Sequence, residues 1–304
     1  MTRRPSLRLR LLNLGMRWLA RPSLRRTAEP EVVNVRFERM APYIFSAPKG
    51  LVQTKEAGIP VMAVGAVPPD RIVLFLHGGA FVTGSSRSYR AFAGRLSQRA
   101  GIKVAVPDYP LLQQASYPAG PKAVLAAWDR LIKAGYRAEN IVLAGDSAGG
   151  NLVFGLLSTL LQRGERPACV IGFSPWTDMT LSGDSLTTNA RRDPLLPVDR
   201  MAEVVDLYLC GADAAQPLAS PVLADFPNAP PTLIQVGAEE ILLSDAERIA
   251  HKMGARLEVW PDCPHVWQMF DPRLPEARDA MRQAAEFIQT SFESASRKPT
   301  ASAT

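Results

Sequence analysis

Residues 141–149 read Ile-Val-Leu-Ala-Gly-Asp-Ser-Ala-Gly. The first four form a short apolar run with the β-branched residues of a buried strand. The last five match G-x-S-x-G and open Ala148–Gln162, a stretch of helix-forming composition. A strand that turns sharply into a helix is the setting in which this pattern carries chemistry. The turn forces the serine backbone into a strained conformation and lifts its Oγ out of the sheet. Glycines flank it because larger side chains would collide inside the turn. The helix behind it offers free N–H groups and a positive dipole end to an anionic intermediate. Ser147 is therefore the expected nucleophile, and the Ala148 N–H an expected oxyanion donor.

Working outward, similar apolar runs recur at Arg71–Leu76, Ile102–Val106, Cys169–Phe173, Thr232–Val236 and Arg256–Trp260. Most are continuous rather than alternating, as in strands buried on both faces of a parallel sheet. Helical patterns at Pro121–Ala134, Ala148–Gln162, Ser244–Met253 and Pro275–Ser291 lie between or after them. The alternation predicts an α/β, doubly wound, mostly parallel sheet. More than fifty residues between Trp176 and Pro230 hold no clear strand, only a helical pattern at Pro197–Leu209. An insertion of that length reads as a functional lid.

Ligands in such sheets bind at the carboxyl ends of the strands. The run 71–76 ends in His77-Gly78-Gly79-Ala80. Adjacent glycines let a loop turn its N–H groups toward a developing oxyanion, so Gly78 and Gly79 join Ala148 as expected donors. Three histidines are present. His77 lies in the oxyanion loop and reads as structural, and His251 reads as a surface residue of a helix. His265, in the loop beyond the last strand, is the expected base, following the chain order Ser, acid, His. For the acid, the strand 232–236 ends in Gly237-Ala238-Glu239-Glu240. Glu240 is preferred, Glu239 competes with it, and Asp245 is a more distant third. A carboxylate there would hold the imidazole's tautomer and stabilise the imidazolium.

Composition bounds the rest. The chain has 304 residues and a formal charge of +6, enough for a large core. Eight arginines (3, 4, 8, 10, 17, 21, 25 and 26) and no acid lie in residues 1–28, so residues 29–304 carry −2. The basic character belongs to one arm, and nucleic acid is not an expected partner. Three cysteines, at 169, 210 and 263, are too few for a disulfide scaffold. The longest charge-free stretch, Ser147–Gln162, has sixteen residues, short of a membrane span. Arg17 interrupts the apolar content of the N-terminus, against a secretory signal. A cytoplasmic location is expected.

The combination of HGGA, GDSAG and a late histidine resembles the bacterial hormone-sensitive-lipase family of α/β-hydrolase esterases. So do Asp108-Tyr109, Tyr117-Pro118-Ala119, Ser174-Pro175-Trp176-Thr177-Asp178, Asp193-Pro194, Ser220-Pro221 and Pro230-Pro231. The resemblance covers about residues 30–290. It implies an α/β-hydrolase fold with a helical cap built from residues 1–50 and an insertion at 178–215. The catalytic domain would be 51–177 and 216–292, with 293–304 a flexible tail. It aligns Glu240 with the family's usual triad aspartate, as in a branch that uses glutamate. The DYRLAPE pattern has become DYPLLQQ, without its Arg and Glu, and Cys263-Pro264 replaces a glycine before the histidine. Cys263 reads as a packed or exposed thiol rather than a reactive one. Trp18, Phe45, Leu207 and Tyr208 are cap residues that could line a substrate pocket or simply pack.

The resemblance implies a serine carboxylesterase acting on short-acyl esters through Ser147, His265 and Glu240, with a small-molecule ester as partner and neither cofactor nor metal. The same machinery can open lactones or cleave acetyl-amides, and a non-catalytic receptor on this fold would be expected to lack a triad residue. At 100° per residue, Leu7, Leu11, Leu14 and Trp18 share one stripe with arginines beside it. The expected use of this stripe is to cap the active site. A weak membrane-surface contact through residues 1–28 and a homodimer stay open.

Overall fold

The computed structural model describes residues 5–26 and 29–296. The arm is helical. α1 (Leu7–Gly15) passes through a π-helical turn, Met16–Ala20, into α2 (Arg21–Arg26), and α3 (Pro30–Ile44) follows. Ser6 caps α1 by accepting the Leu9 N–H at 3.1 Å, and Pro30 opens α3 at a position where its missing N–H costs nothing.

The body begins with β1 (Leu51–Glu56), β2 (Ile59–Val64) and β3 (Ile72–Leu76), then α4 (Arg90–Ala100), β4 (Lys103–Ala105), α5 (Ala119–Lys133), β5 (Ile141–Asp146), α6 (Ala148–Gln162) and β6 (Cys169–Phe173). The insertion carries α7 (Ser185–Thr188) and α8 (Met201–Leu209). The chain then returns through β7 (Thr232–Gly237), α9 (Leu243–Met253), β8 (Arg256–Trp260) and α10 (Pro275–Ser296). The eight strands form one sheet in the order β1-β2-β4-β3-β5-β6-β7-β8, antiparallel only at β1/β2 and β2/β4. All six strands expected from the apolar runs are present.

The sheet's alternation divides the core in two. Ile72, Leu74 and Leu76 point to the face covered by Trp128 and Leu131 of α5, Leu152, Val153 and Leu157 of α6, and Ile249 of α9. Val73 and Phe75 point to the opposite face, under Phe92 and Leu96 of α4 and Met281 and Ile288 of α10. Helices on both faces bury the central strands β3, β5 and β6 throughout, which is why those strands are legible as continuous runs; the edge strand β8 is only partly buried.

Several features depart from the sequence expectation. The β1–β2 hairpin has no counterpart in it, because edge strand β1 reads Leu-Val-Gln-Thr-Lys-Glu and is mostly exposed, so no apolar run marks it. α4 is likewise unexpected; its Arg/Gln-rich sequence hides a buried stripe of Phe92, Ala93, Leu96 and Ala100. α10 continues to Ser296, past the expected start of the tail at 293; the rest of that tail, 297–304, lies outside the described residues.

The largest correction concerns the arm. Leu7, Leu11, Leu14 and Trp18 face solvent, at 72%, 59%, 53% and 72% exposure, rather than the active site. The opposite side of the same helix is the one that packs. Leu9 is fully buried among Cys263, Trp267, Leu274, Ala277 and Ala280, with Leu12 beside it. Trp18 therefore lies on the surface, and Leu207 is also exposed. Phe45 and Tyr208 are buried.

The arm is nonetheless tied to the insertion. Arg17 donates to the Arg191 and Arg192 carbonyls at 2.9 and 2.8 Å, Arg25 pairs with Asp199 at 2.8 Å, and Arg200 donates back to the Leu24 and Arg25 carbonyls at 3.1 and 2.9 Å. Over the sheet, Tyr208 of α8 stacks on Phe81 with ring centroids 3.7 Å apart. No described helix is long and apolar enough to cross a membrane.

Candidate active site

The parallel strands deliver their carboxyl ends to one edge. Register pairs Leu76 with Gly145, Asp146 with Phe173 and Gly237 with Trp260, so the loops after β3, β5, β6, β7 and β8 meet there.

Ser147 sits at the turn from β5 into α6 with φ 52° and ψ −121°. This is a conformation that a non-glycine residue holds only when its surroundings impose it. The turn is fixed by two hydrogen bonds to the segment around Phe173–Trp176: the Ser147 N–H donates to the Phe173 carbonyl, and the Trp176 N–H to the Ser147 carbonyl, each at 3.0 Å. Gly149 is required on steric grounds, since a Cβ there would stand 2.0 Å from the Leu76 carbonyl oxygen. This is the close approach of α6 to β3 that brings the Ser147 turn against the His77 loop.

That loop is built tightly. Gly79 has φ +107°, and a Cβ on it would lie 2.2 Å from the Thr83 carbonyl oxygen. His77 is fully buried and stacked on Tyr109 with centroids 4.3 Å apart. Burial lowers its imidazole to about 4, so it is neutral. It props the loop, as expected.

One expected oxyanion donor is corrected. The Gly78 N–H already donates to Asp146 Oδ1 at 2.9 Å. The buried Asp146 carboxylate, next to Ser147, claims that amide, so of the three expected donors Gly79 and Ala148 stay as candidates. Asp146 also accepts from the Tyr89 hydroxyl at 2.9 Å. Burial pushes its pKa up to about 6, against the opposing pull of these hydrogen bonds.

At the other end of the site, Glu240 and His265 meet. His265 Nδ1 lies 2.6 Å from Glu240 Oε2, and both side chains are buried. Burial alone would lower the imidazole pKa. The charge of Glu240 and its hydrogen bond outweigh that, and the pKa is raised above the ordinary 6.5. The second Glu240 oxygen accepts from the Gly237 N–H at 2.6 Å and from the Ser174 hydroxyl at 2.7 Å.

The rival carboxylates are placed elsewhere. Glu239 pairs with Arg192 at 3.1 Å and accepts from the Asp262 N–H at 2.8 Å. Asp245 is buried against the Thr177 and Asp178 amides at 2.7 and 2.8 Å. His251 is exposed on α9. Cys263 is buried, and burial pushes its thiol well above its ordinary range, so thiolate chemistry is disfavoured.

Two residues of the site escaped the sequence reading. Ser174, at φ 47° just past β6, gives its hydroxyl to Glu240 and accepts the Val266 N–H at 3.3 Å. It thereby joins the acid to the histidine loop. Asp193, in the insertion, accepts from the Ile241 N–H at 2.9 Å and from Leu195 and Leu196 at 2.8 Å each. It ties the insertion to the loop that carries Glu240. The only signal for either was its place in the Ser-Pro-Trp and Asp-Pro motifs.

Known proteins are similar to this chain in sequence and fold. Residues 73–269 match the family described as alpha/beta hydrolase fold. An acetyl-hydrolase of Streptomyces hygroscopicus is 38% identical over 226 residues, covering 72% of this chain and 76% of that one. An esterase of Acinetobacter venetianus is 34% identical over 224 residues, covering 71% and 74%. The crystal structure of an esterase from the bacterial hormone-sensitive lipase family superposes with a TM-score of 0.86 at 34% identity, covering 94% of this chain and 99% of that one. An esterase/lipase from an uncultured bacterium gives 0.87 at 31%, covering 95% and 99%. The strained Ser147 turn, the glycine loop after β3 and the buried Glu240–His265 pair meet at one edge of a mostly parallel sheet. The chain belongs to the α/β-hydrolase family, among the bacterial hormone-sensitive-lipase esterases, and the reaction class is carboxylic ester hydrolysis.

Proposed function

We propose that the chain is a serine carboxylesterase for short-acyl esters, with Ser147 as nucleophile, His265 as general base and acid, and Glu240 as the acid that orients His265. The observation that carries this reading is the 2.6 Å contact between His265 Nδ1 and Glu240 Oε2, at the edge where Ser147 holds its strained turn. With Nδ1 committed to the carboxylate, the imidazole's other nitrogen is the one that takes protons.

His265 Nε2 takes the Ser147 hydroxyl proton as Oγ attacks the ester carbonyl carbon. The carbonyl electron pair moves to oxygen, and the N–H groups of Gly79 and Ala148 hold the resulting anion. Collapse breaks the bond to the alcohol, which leaves with the proton from His265. Water then attacks the acyl-enzyme, gives its proton to the same nitrogen, and releases the acid and the free Ser147 hydroxyl. Glu240 stays ionised throughout, stabilising the imidazolium. Gly78 contributes by position: its bond to Asp146 anchors the loop that carries Gly79.

The short-acyl preference is supported by a relative described as an acetyl-hydrolase. A panel of p-nitrophenyl esters from acetate to dodecanoate, with a lactone and an acetyl-amide beside them, tests it. kcat/KM should be highest at acetate or butyrate and fall for longer chains; a maximum at long chains, or on the lactone or amide, would contradict it.

A further inference from the structure

The mechanism leaves one surface unused. From Leu7 to Arg26 the arm is an almost continuous helix of 20 residues, roughly 30 Å long. Its inner face is spent on the body: Leu9 fills the pocket beside Cys263 and Trp267, and Asn13 donates to the Asp262 carbonyl at 2.8 Å. Its outer face presents Leu7, Leu11, Leu14 and Trp18 to solvent in one line, with Leu19 at 75% exposure beside them. Side chains of this size lose free energy in water and are not left in an exposed row by packing needs alone.

The charges beside that row have one sign. Residues 1–28 hold eight arginines and no acid. Arg17, Arg21, Arg25, Arg26 and Arg191 line a cleft of about 820 Å³ where the arm meets the insertion, and Asp199 is the one acid in its wall. Arg17 and Arg21 are held in place by carbonyl oxygens of residues 190–192; Asp199 pairs with Arg25 and lies within electrostatic reach of Arg21, so five cations share one carboxylate in the cleft. An apolar row with an aromatic ring, bordered by cations, is the pattern of a helix lying in a membrane interface. The aliphatic row enters the acyl boundary, Trp18 sits at headgroup depth, and the arginines meet anionic headgroups.

We propose that residues 7–26 form an interfacial anchor that seats the folded enzyme on an anionic lipid bilayer, with no segment spanning it. The anchor and the triad are separate surfaces, so either can fail without the other.

The test is co-sedimentation of the full chain with vesicles of phosphatidylcholine containing equal phosphatidylglycerol, against pure phosphatidylcholine, at low and high salt. The comparison protein is the double variant Leu11→Glu/Trp18→Glu. The parent should bind the anionic vesicles at least tenfold more tightly than the neutral ones, and high salt should weaken that binding. The variant should lose tenfold or more, while its turnover of soluble p-nitrophenyl acetate stays at the parent level, which shows that it is folded. A parent that ignores anionic vesicles, or a variant that binds them as well as the parent, would overturn the proposal. So would light scattering that finds a parent dimer dissociated by the substitutions with no vesicle binding, since the row would then be a contact between copies.

Discussion

At the residue scale the site is a matter of which carboxylate reaches His265. Glu239 and Glu240 are neighbours in sequence, but only Glu240 turns inward, where Gly237, Ser174 and His265 converge on its two oxygens. Glu240→Gln should lower kcat about 10³–10⁴-fold with little change in KM, the scale seen when a triad acid is neutralised. Glu239→Gln should stay within a few-fold of the parent, because its partners are Arg192 and a backbone amide on the rim. Reversal of the two results would move the acid. The pH profile follows from the same contact. In the proposed mechanism His265 must be neutral to accept the serine proton, and its pKa is raised above 6.5, the Glu240 charge and hydrogen bond outweighing burial. Activity should therefore fall as pH drops through a value above 6.5. In Glu240→Gln the raising charge is gone, so the residual activity should lose its acid limb at lower pH. An unmoved limb in the kcat/KM profile would show that Glu240 is not coupled to His265.

At the element scale, the site is a set of strand ends held at fixed distances by loops that hydrogen-bond to one another. Asp146 links the β5 turn to the β3 loop through Gly78, and Ser174 links the β6 end to the β7 and β8 loops. Asp146→Ala should loosen the loop carrying Gly79 and reduce kcat by tenfold or more, approaching the 10²-fold cost of a lost oxyanion donor. Ser174→Ala should give a smaller loss, about tenfold, since Glu240 keeps its Gly237 amide. Steady-state kinetics on p-nitrophenyl acetate checks both; unchanged kcat in either would confine that residue to packing. These links also show what a sequence reveals. The central strands were legible because burial on both faces makes each a continuous apolar run, and Ser147 because its turn needs glycines at fixed spacing. Of the β1–β2 hairpin, β1 was hidden because an exposed edge strand carries polar residues indistinguishable from a loop. Ser174 and the diversion of the Gly78 amide were hidden for another reason. Each depends on a partner tens of residues away, and nothing local to Gly78 says that Asp146 takes its N–H.

At the scale of the whole molecule, the arm, the insertion and the histidine loop form one connected layer. The amphipathic arm was legible, but not its orientation: a helix with leucines on two sides presents two candidate inner faces, and only the pocket around Trp267 decides between them. Leu9→Ala should cost about 2–5 kcal/mol, the usual range for a buried leucine, seen as a fall in denaturation midpoint. Leu11→Ala, on the exposed face, should stay within about 0.5 kcal/mol. Equal effects would mean that the arm is not docked on Leu9. All three scales rest on Ser147 being the activated nucleophile, and covalent trapping tests that most directly. The enzyme would be incubated with a p-nitrophenyl alkylphosphonate, p-nitrophenol release followed, and the modified peptide located by mass spectrometry. The account predicts one equivalent released per chain, the adduct on Ser147, no labelling of Ser147→Ala and severely slowed labelling of His265→Ala. An adduct on another residue, or undiminished stoichiometric labelling of Ser147→Ala, would contradict it.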